Sequence, residues 1–355
     1  MKQSFDMNIQ IGSKKVSKQT TPFLVAELSA NHNNDIERAK SIIVKAAKSG
    51  ADAVKFQTYT ADTITLNSRD DDFMLGEGLW EGRSLYDLYQ EGSLPWEWHQ
   101  ELITFAKSLD LAVISSPFDE TAVDFLVDIG IEALKIASFE LTHLPLIEHA
   151  AKTGLPIIVS TGMGDYAEIS EAVEAIRSLN SQLILLHCIS SYPALPEDYA
   201  IRNIEKLQHD HQCLVGISDH CETNEVAVSS VLLGSVFIEK HFTLDRNGGG
   251  LDDSFSLEPK QFGDLRKGVD CLFSAQARTQ ELGESEKGSL RYRRSIYCAE
   301  PISKGDRFTP ENIKVVRPGF GLHPRFFASL LGKQSARDIN FAEPITQSDF
   351  ENALL

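Results

Sequence analysis

The sequence predicts a (β/α)8 barrel followed by a small, loop-rich, mostly β domain. Three observations carry that expectation. Eight short apolar, β-branched runs recur with helix-like stretches between them. Most of the starts lie roughly 20–30 residues apart, the period of a strand–helix unit. The runs are almost continuously apolar, as parallel strands buried on both faces must be, and eight such units fill a barrel of ~250 residues.

The elements follow in order. Run 23–28 leads to Glu27 and the loop Ser29-Ala30-Asn31-His32. Helix 36–49 is opened by Asn34-Asp35 as a cap and closed by Gly50. Run 53–58 carries Lys55 and Gln57 on one face. Residues 59–110 make an oversized insertion with Asp70-Asp71-Asp72, Trp80 and Tyr86 to Tyr89. An insertion after a barrel strand sits on the active face and is a candidate substrate loop; a loop packed by its own aromatics is the other reading. Run 111–117 ends in Ser115-Ser116-Pro117, run 133–138 carries Lys135 and Ser138 with Glu140 beyond, and run 156–162 ends in Ser160-Thr161-Gly162. Helix 167–178 puts Ile169, Ala172, Val173 and Ile176 on one face. Run 183–188 is followed by Ser190 and Tyr192; runs 214–219 and 236–242 close the barrel.

After helix 259–282 the pattern changes. The expected domains are a catalytic barrel at 1–282, a polar Gly/Ser-rich linker at 283–293 and a small β-rich domain at 294–355. The core of the last is thin for its size, so it docks on a barrel. At 355 residues and 42% hydrophobic content the chain is typical of a soluble globular protein. No run approaches the ~20 apolar residues of a membrane span, and residues 1–20 lack the apolar stretch of a signal peptide. The five cysteines are dispersed, which argues for reduced thiols and a cytoplasmic setting. Cys188 reads as a small core residue. A net charge of −17 excludes nucleic acid and anionic membrane as partners, while leaving room for an anionic small substrate in a locally positive pocket.

The chemistry gathers at the C-terminal strand ends, where barrel enzymes keep their catalytic groups. Ser218 and His220 share one face of the seventh strand, and Glu239 and His241 share one face of the eighth. Two imidazoles with open coordination positions and nearby carboxylates suit a catalytic divalent metal; a packed core histidine is the alternative for His241. Asp219 either orients His220 or caps the following helix. His32 either touches substrate or ties its own loop. Lys55 and Lys135 interrupt apolar strands, and a buried lysine there needs an anionic partner. With hydroxyls at Ser116, Ser138, Ser160 and Ser218 they resemble a pocket for a small phosphorylated carboxylate. An internal salt bridge from Lys55 to Glu27 or Glu140, or a Schiff-base lysine, are the other readings.

At these residues the chain resembles the sialic acid synthase family, which condenses phosphoenolpyruvate with an N-acylated amino sugar. The resemblance rests on Ala26 to His32, Val54-Lys55-Phe56-Gln57-Thr58, Ser116-Pro117-Phe118, Lys135 to Glu140, Val159 to Met163, Cys188 to Pro193, Gly216 to His220 and Glu239 to Thr243. The tail is similar to the family's antifreeze-like (SAF) domain through Arg317-Pro318-Gly319 and Leu331-Gly332-Lys333. The resemblance implies phosphoenolpyruvate contacts from Lys55, Ser116, Lys135, Ser138, Ser160, Ser190 and Ser218. It implies Mn2+ or Mg2+ at His220 and His241, and sugar contacts from Tyr192 and Asp252, with Gln57 also on the substrate. Glu140 is the expected water-activating base, with Glu27 second. It further implies a domain-swapped homodimer in which Arg317 reaches the sugar in the partner's site. Two departures stand out: Ser29-Ala30 where the family commonly has Gly-Ile, and Ser190 where it often has Asn. The insertion and the loop 249–259 look most like the branch that uses a 6-deoxy, di-N-acetylated altrose. N-acetylmannosamine and the legionaminic acid precursor are the nearer alternatives. A Schiff-base aldolase and a binding module working through the tail are the distant ones.

Overall fold

The computed structural model describes residues 3–76, 79–276 and 282–350. The chain divides into two compact units, Met1–Ala277 and Arg278–Leu355. The first opens on an antiparallel hairpin, β1 (Asn8–Ile11) and β2 (Lys14–Ser17), turned at Gly12 with φ +57°. Eight parallel strands then close into a barrel: β3 (Phe23–Glu27), β4 (Ala53–Thr58), β5 (Ala112–Pro117), β6 (Ala133–Ile136), β7 (Ile157–Ser160), β8 (Leu183–Cys188), β9 (Leu214–Asp219) and β10 (Phe237–His241). Closure pairs β10 back onto β3, with His241 opposite Glu27. All eight expected strands form, within two residues of the expected ends. The fourth is cut at Ile136 because the chain leaves the sheet in a 3-10 turn at Ser138–Glu140.

The barrel interior is sorted by height. Val25, Ala53, Ile114, Ala133, Ile158, Ile184 and Leu214 form one apolar cluster with Ile9, Ile11 and Val16 of the hairpin. The hairpin therefore seals the N-terminal end of the barrel. Polar residues take over further along the same strand faces, which leaves the C-terminal mouth for chemistry.

The helices bury one stripe each against the outside of the sheet. Helix Ile36–Lys48 buries Ala39, Ile42, Ile43 and Ala46 and is capped by Asp35, whose carboxylate accepts from Glu37 N and Arg38 N. Helix Tyr166–Arg177 buries the four residues its sequence periodicity picks out, and Asp165 and Glu168 cap its start reciprocally. The insertion is structured: short helices Ala61–Ile64 and Leu85–Gly92 precede the barrel helix Trp96–Ser108. The last barrel helix is Pro259–Gln276; the expected continuation through 277–281 lies outside the described residues. No helix among the described residues is long and apolar enough to cross a membrane.

The second unit holds an antiparallel pair, β11 (Ser295–Cys298) and β12 (Ile313–Val316), within turns and short helical pieces. Its core is small: Ile296, Ile302, Phe308, Ile313, Leu330, Ile339, Ile345 and Phe350. The segment ahead of it is helical at Glu284–Lys287 and Gly288–Tyr292 rather than extended.

Candidate active site

Strand alternation decides what enters the mouth. Lys55, Gln57, Ser116, Lys135, Ser138, Glu140, Ser190, Tyr192, His220, His241 and Asp252 line one cavity of about 740 Å3. Glu27, Ser160 and Ser218 do not line it and are fully buried. Arg317 belongs to the second unit, exposed on the turn after β12.

Glu239 is the hub of the charged cluster. Its Oε1 lies 3.2 Å from Lys135 Nζ and 3.6 Å from Lys55 Nζ, and accepts from Ser218 Oγ at 3.2 Å. Burial alone would raise this carboxyl; the two ammonium groups outweigh it and hold it down to about 2. Lys55 also pairs with Glu27 Oε2 and donates to Ser116 Oγ at 3.3 Å. Burial works against its charge, yet Glu239 and Glu27 together raise its pKa, so it stays an ammonium. Glu27 Oε1 accepts from Ser29 N at 2.8 Å and from Gln57 Nε2 at 3.2 Å. Glu140 is different: burial pushes it up to about 7 against the pull of Lys135, and its buried Oε2 has no hydrogen-bond partner among the described residues.

Two hydroxyls, Ser138 and Ser190, converge at Gly162 in the cavity that Lys135 also lines. Ser138 Oγ accepts from Gly162 N at 3.1 Å, and the buried Ser160 Oγ has no hydrogen-bond partner among the described residues. A Cβ at Gly162 would collide with Ser190 Oγ and stand 2.8 Å from Ser138 Oγ. Only glycine lets the backbone come this close. The result is a cradle of N–H and O–H groups backed by a lysine, suited to anionic oxygens.

The two histidine rings meet edge to face with centroids 5.3 Å apart, and Tyr192 lies against both at 4.3 Å and 5.9 Å. His220 Nδ1 is 2.8 Å from Ile189 O. That contact fixes the ring as metal-ligating histidines are fixed and leaves Nε2 available. Burial and the neighbouring His220 keep His241 neutral, well below the usual range, and its buried Nδ1 has no hydrogen-bond partner among the described residues. Asp252 Oδ2 is 3.7 Å from that nitrogen. Among the described residues no group of three or more His, Cys, Asp or Glu is placed to hold a metal ion. The two imidazoles could supply two of a divalent cation's donors, and the others would have to come from substrate or water.

The other wall is apolar. Ile64, Leu75, Trp80, Leu85 and Leu88 of the insertion line it, and Trp80 Nε1 donates to Leu251 O at 3.3 Å. The insertion therefore does form part of the cavity.

Some expectations need correction. Asp219 neither orients His220 nor caps a helix; it sits one residue out of phase, on the opposite strand face. There Lys240 Nζ donates to its Oδ2 at 2.9 Å, and Cys221 N to its Oδ1 at 2.9 Å. Of the two readings of His32 the loop one holds: it does not line the cavity, its Nδ1 accepts from Asn34 N, and burial lowers it to about 4. Cys188 is buried as expected, yet lines the cavity with Sγ 4.0 Å from His220 Nδ1. Three residues go beyond the expected site: Glu239 as the hub, Ser29 beside Asp252, and Lys240 as partner of Asp219. A carboxylate two residues before a strand-end histidine was the signal for the first.

The NeuB family matches residues 42–281 and the SAF domain residues 293–351. Pseudaminic acid synthase of Campylobacter jejuni is 39% identical over 348 residues, covering 97% of this chain and 100% of that one. N,N'-diacetyllegionaminic acid synthase of Legionella pneumophila is 33% identical over 336 residues, covering 93% and 94%. The crystal structure of N-acetylneuraminic acid synthetase from Leptospira borgpetersenii, in complex with citrate, matches with a TM-score of 0.72 at 29% identity, covering 81% of this chain and 96% of that one. This chain belongs to the NeuB family: it is an enzyme with a (β/α)8 barrel and a SAF domain. The resemblance read from the motifs is borne out.

Proposed function

We propose that the chain condenses phosphoenolpyruvate with 2,4-diacetamido-2,4,6-trideoxy-altrose, giving pseudaminic acid and phosphate. The observation that carries this reading is the single cavity in which the Lys55–Glu239–Lys135 cluster and the serine cradle meet the His220–His241 pair. Identity of 39% to a pseudaminic acid synthase over nearly the whole chain supports the choice of product. The apolar insertion wall suits a deoxy, acetamido sugar.

Lys55 and Lys135, with Ser116, Ser138 and Ser190, hold the phosphate and carboxylate of phosphoenolpyruvate; Ser160 and Ser218, expected among the contacts, are buried behind the cavity wall and support it from there. Tyr192, Gln57 and Asp252 face the sugar. His220 and His241 would hold Mn2+ or Mg2+, which supplies Lewis-acid polarisation of a carbonyl oxygen. The enol C3 attacks the sugar's aldehyde carbon, leaving an oxocarbenium at C2. Glu140, unpaired and poised near neutrality, takes a proton from the water that adds to C2. The tetrahedral carbon then expels phosphate by C–O cleavage. Glu27, committed to Lys55, Ser29 and Gln57, orients these groups instead of taking the proton. Held as an ammonium between two carboxylates, Lys55 is a poor Schiff-base nucleophile.

The enzyme works in the cytoplasm as a domain-swapped homodimer, Arg317 of one chain serving the partner's sugar site. Phosphoenolpyruvate carrying 18O at the bridging oxygen tests the reaction. All label should leave in phosphate, with turnover abolished by chelator and restored by Mn2+. Label retained in the keto acid, or a borohydride-trapped lysine adduct, would contradict the reading.

A further inference from the structure

Ser29 combines an unfavourable backbone with a fully engaged side chain. Its φ is +47°, in the left-handed region that penalises any side chain and that glycine adopts freely. It is 6% exposed and lines the cavity. Its hydroxyl donates to Asp252 Oδ2 and accepts from Gln57 Nε2 at 3.0 Å. Its backbone N–H and Gln57 Nε2 both donate to Glu27 Oε1, which belongs to the carboxylate that Lys55 engages. One small residue thus ties the lysine side of the site to the carboxylate in the loop after β10.

We propose that Ser29 is a positioning residue, holding the Asp252 carboxylate in the cavity for the donor groups of the acceptor sugar. The inference rests on the proposed sugar-side role of Asp252. His241 Nδ1 also stands near that carboxylate, 3.7 Å from Oδ2. A swing toward it would withdraw Asp252 from the sugar. The left-handed backbone aims the hydroxyl between Gln57 and Asp252, so a glycine, which relieves the conformation, removes the function.

The test uses the full-length enzyme with Mn2+, phosphoenolpyruvate and the di-N-acetyl altrose. Ser29→Ala and Ser29→Gly should both raise the sugar KM about tenfold, the scale of one hydrogen bond to a charged group, with the phosphoenolpyruvate KM nearly unchanged. Ser29→Gly should be the more heat-stable of the two, because it removes the strain that Ser29→Ala keeps. An equal kinetic defect in variants of unequal stability separates positioning from folding. In the Asp252→Asn background Ser29→Ala should add little. A wild-type sugar KM in Ser29→Gly, or an equal rise in both KM values, overturns the inference alone. Failure of the wild-type enzyme to turn over the sugar overturns the reading of the site, and this inference with it.

Discussion

Glu140 and Glu239 are both buried carboxyls at the barrel mouth, and their neighbours give them opposite roles. For Glu140, burial outweighs Lys135 and a hydrogen bond from its own backbone N–H, and the carboxyl is pushed up to about 7. As a base it works ionised, so kcat/KM should rise with pH and level off above about 7; Glu140→Gln should lower kcat about 10²–10⁴-fold and flatten that limb. The same shift acts on stability. A carboxyl raised in the folded state stabilises below its unfolded value, and that contribution is lost as pH rises through the folded one. Glu140→Gln should therefore raise the melting temperature more at pH 8 than at pH 5; an equal gain at both would contradict the burial argument. Glu239, set between two lysines, is the reverse case. Glu239→Ala leaves buried cations unbalanced and should destabilise by about 3–5 kcal/mol in urea unfolding. A loss under 1 kcal/mol would show that the cluster relaxes. The sequence made the lysines, serines and histidines legible because each breaks an apolar strand. The hub was not, because Lys55 on β4 and Glu239 on β10 meet only through closure of the barrel across β3.

At the scale of elements, strand phase explains both what was read and what was missed. Period-2 alternation put Ser218, His220, Glu239 and His241 into the mouth, and the β9–β10 register sets Glu239 opposite Ser218. The same alternation turns Asp219 and Lys240 outward, where they pair. Proximity in sequence to His220 pointed the other way. The hairpin at the N-terminal end was legible only in the alternation of Ile9 and Ile11 around Gly12, which the polar composition of residues 1–20 masks. Gly216 reports how closely β9 and β10 approach. A Cβ there would strike Phe237 O and lie 2.7 Å from Phe237 Cβ. Gly216→Ala should destabilise by about 1–3 kcal/mol or more, since the obstacle is neighbouring backbone. A denaturation midpoint unchanged from wild type would mean the strands can part at no cost.

For the whole molecule, the acidic chain and its anionic substrate are compatible because charge is local. The net charge is −17, while Lys55 and Lys135 face the cavity. Eight apolar runs, most of them roughly 20–30 residues apart, made the barrel readable, and a thin, turn-rich tail made the second domain readable. Composition holds no information on which barrel that tail serves. The proposed swap predicts complementation. His241→Ala and Arg317→Ala chains, each nearly inactive alone, should regain activity when co-expressed as mixed dimers, because one site then receives both His241 and Arg317. No recovery in mixed dimers would place Arg317 with its own barrel. The central claim concerns the acceptor, and a pocket can discriminate strongly where it bonds a substrate polar group. The most direct measurement is phosphate release from phosphoenolpyruvate with Mn2+, comparing the di-N-acetyl altrose, N-acetylmannosamine and the legionaminic acid precursor side by side. Release is expected with the altrose and little with the others. Release with N-acetylmannosamine or the legionaminic precursor in its place would contradict it.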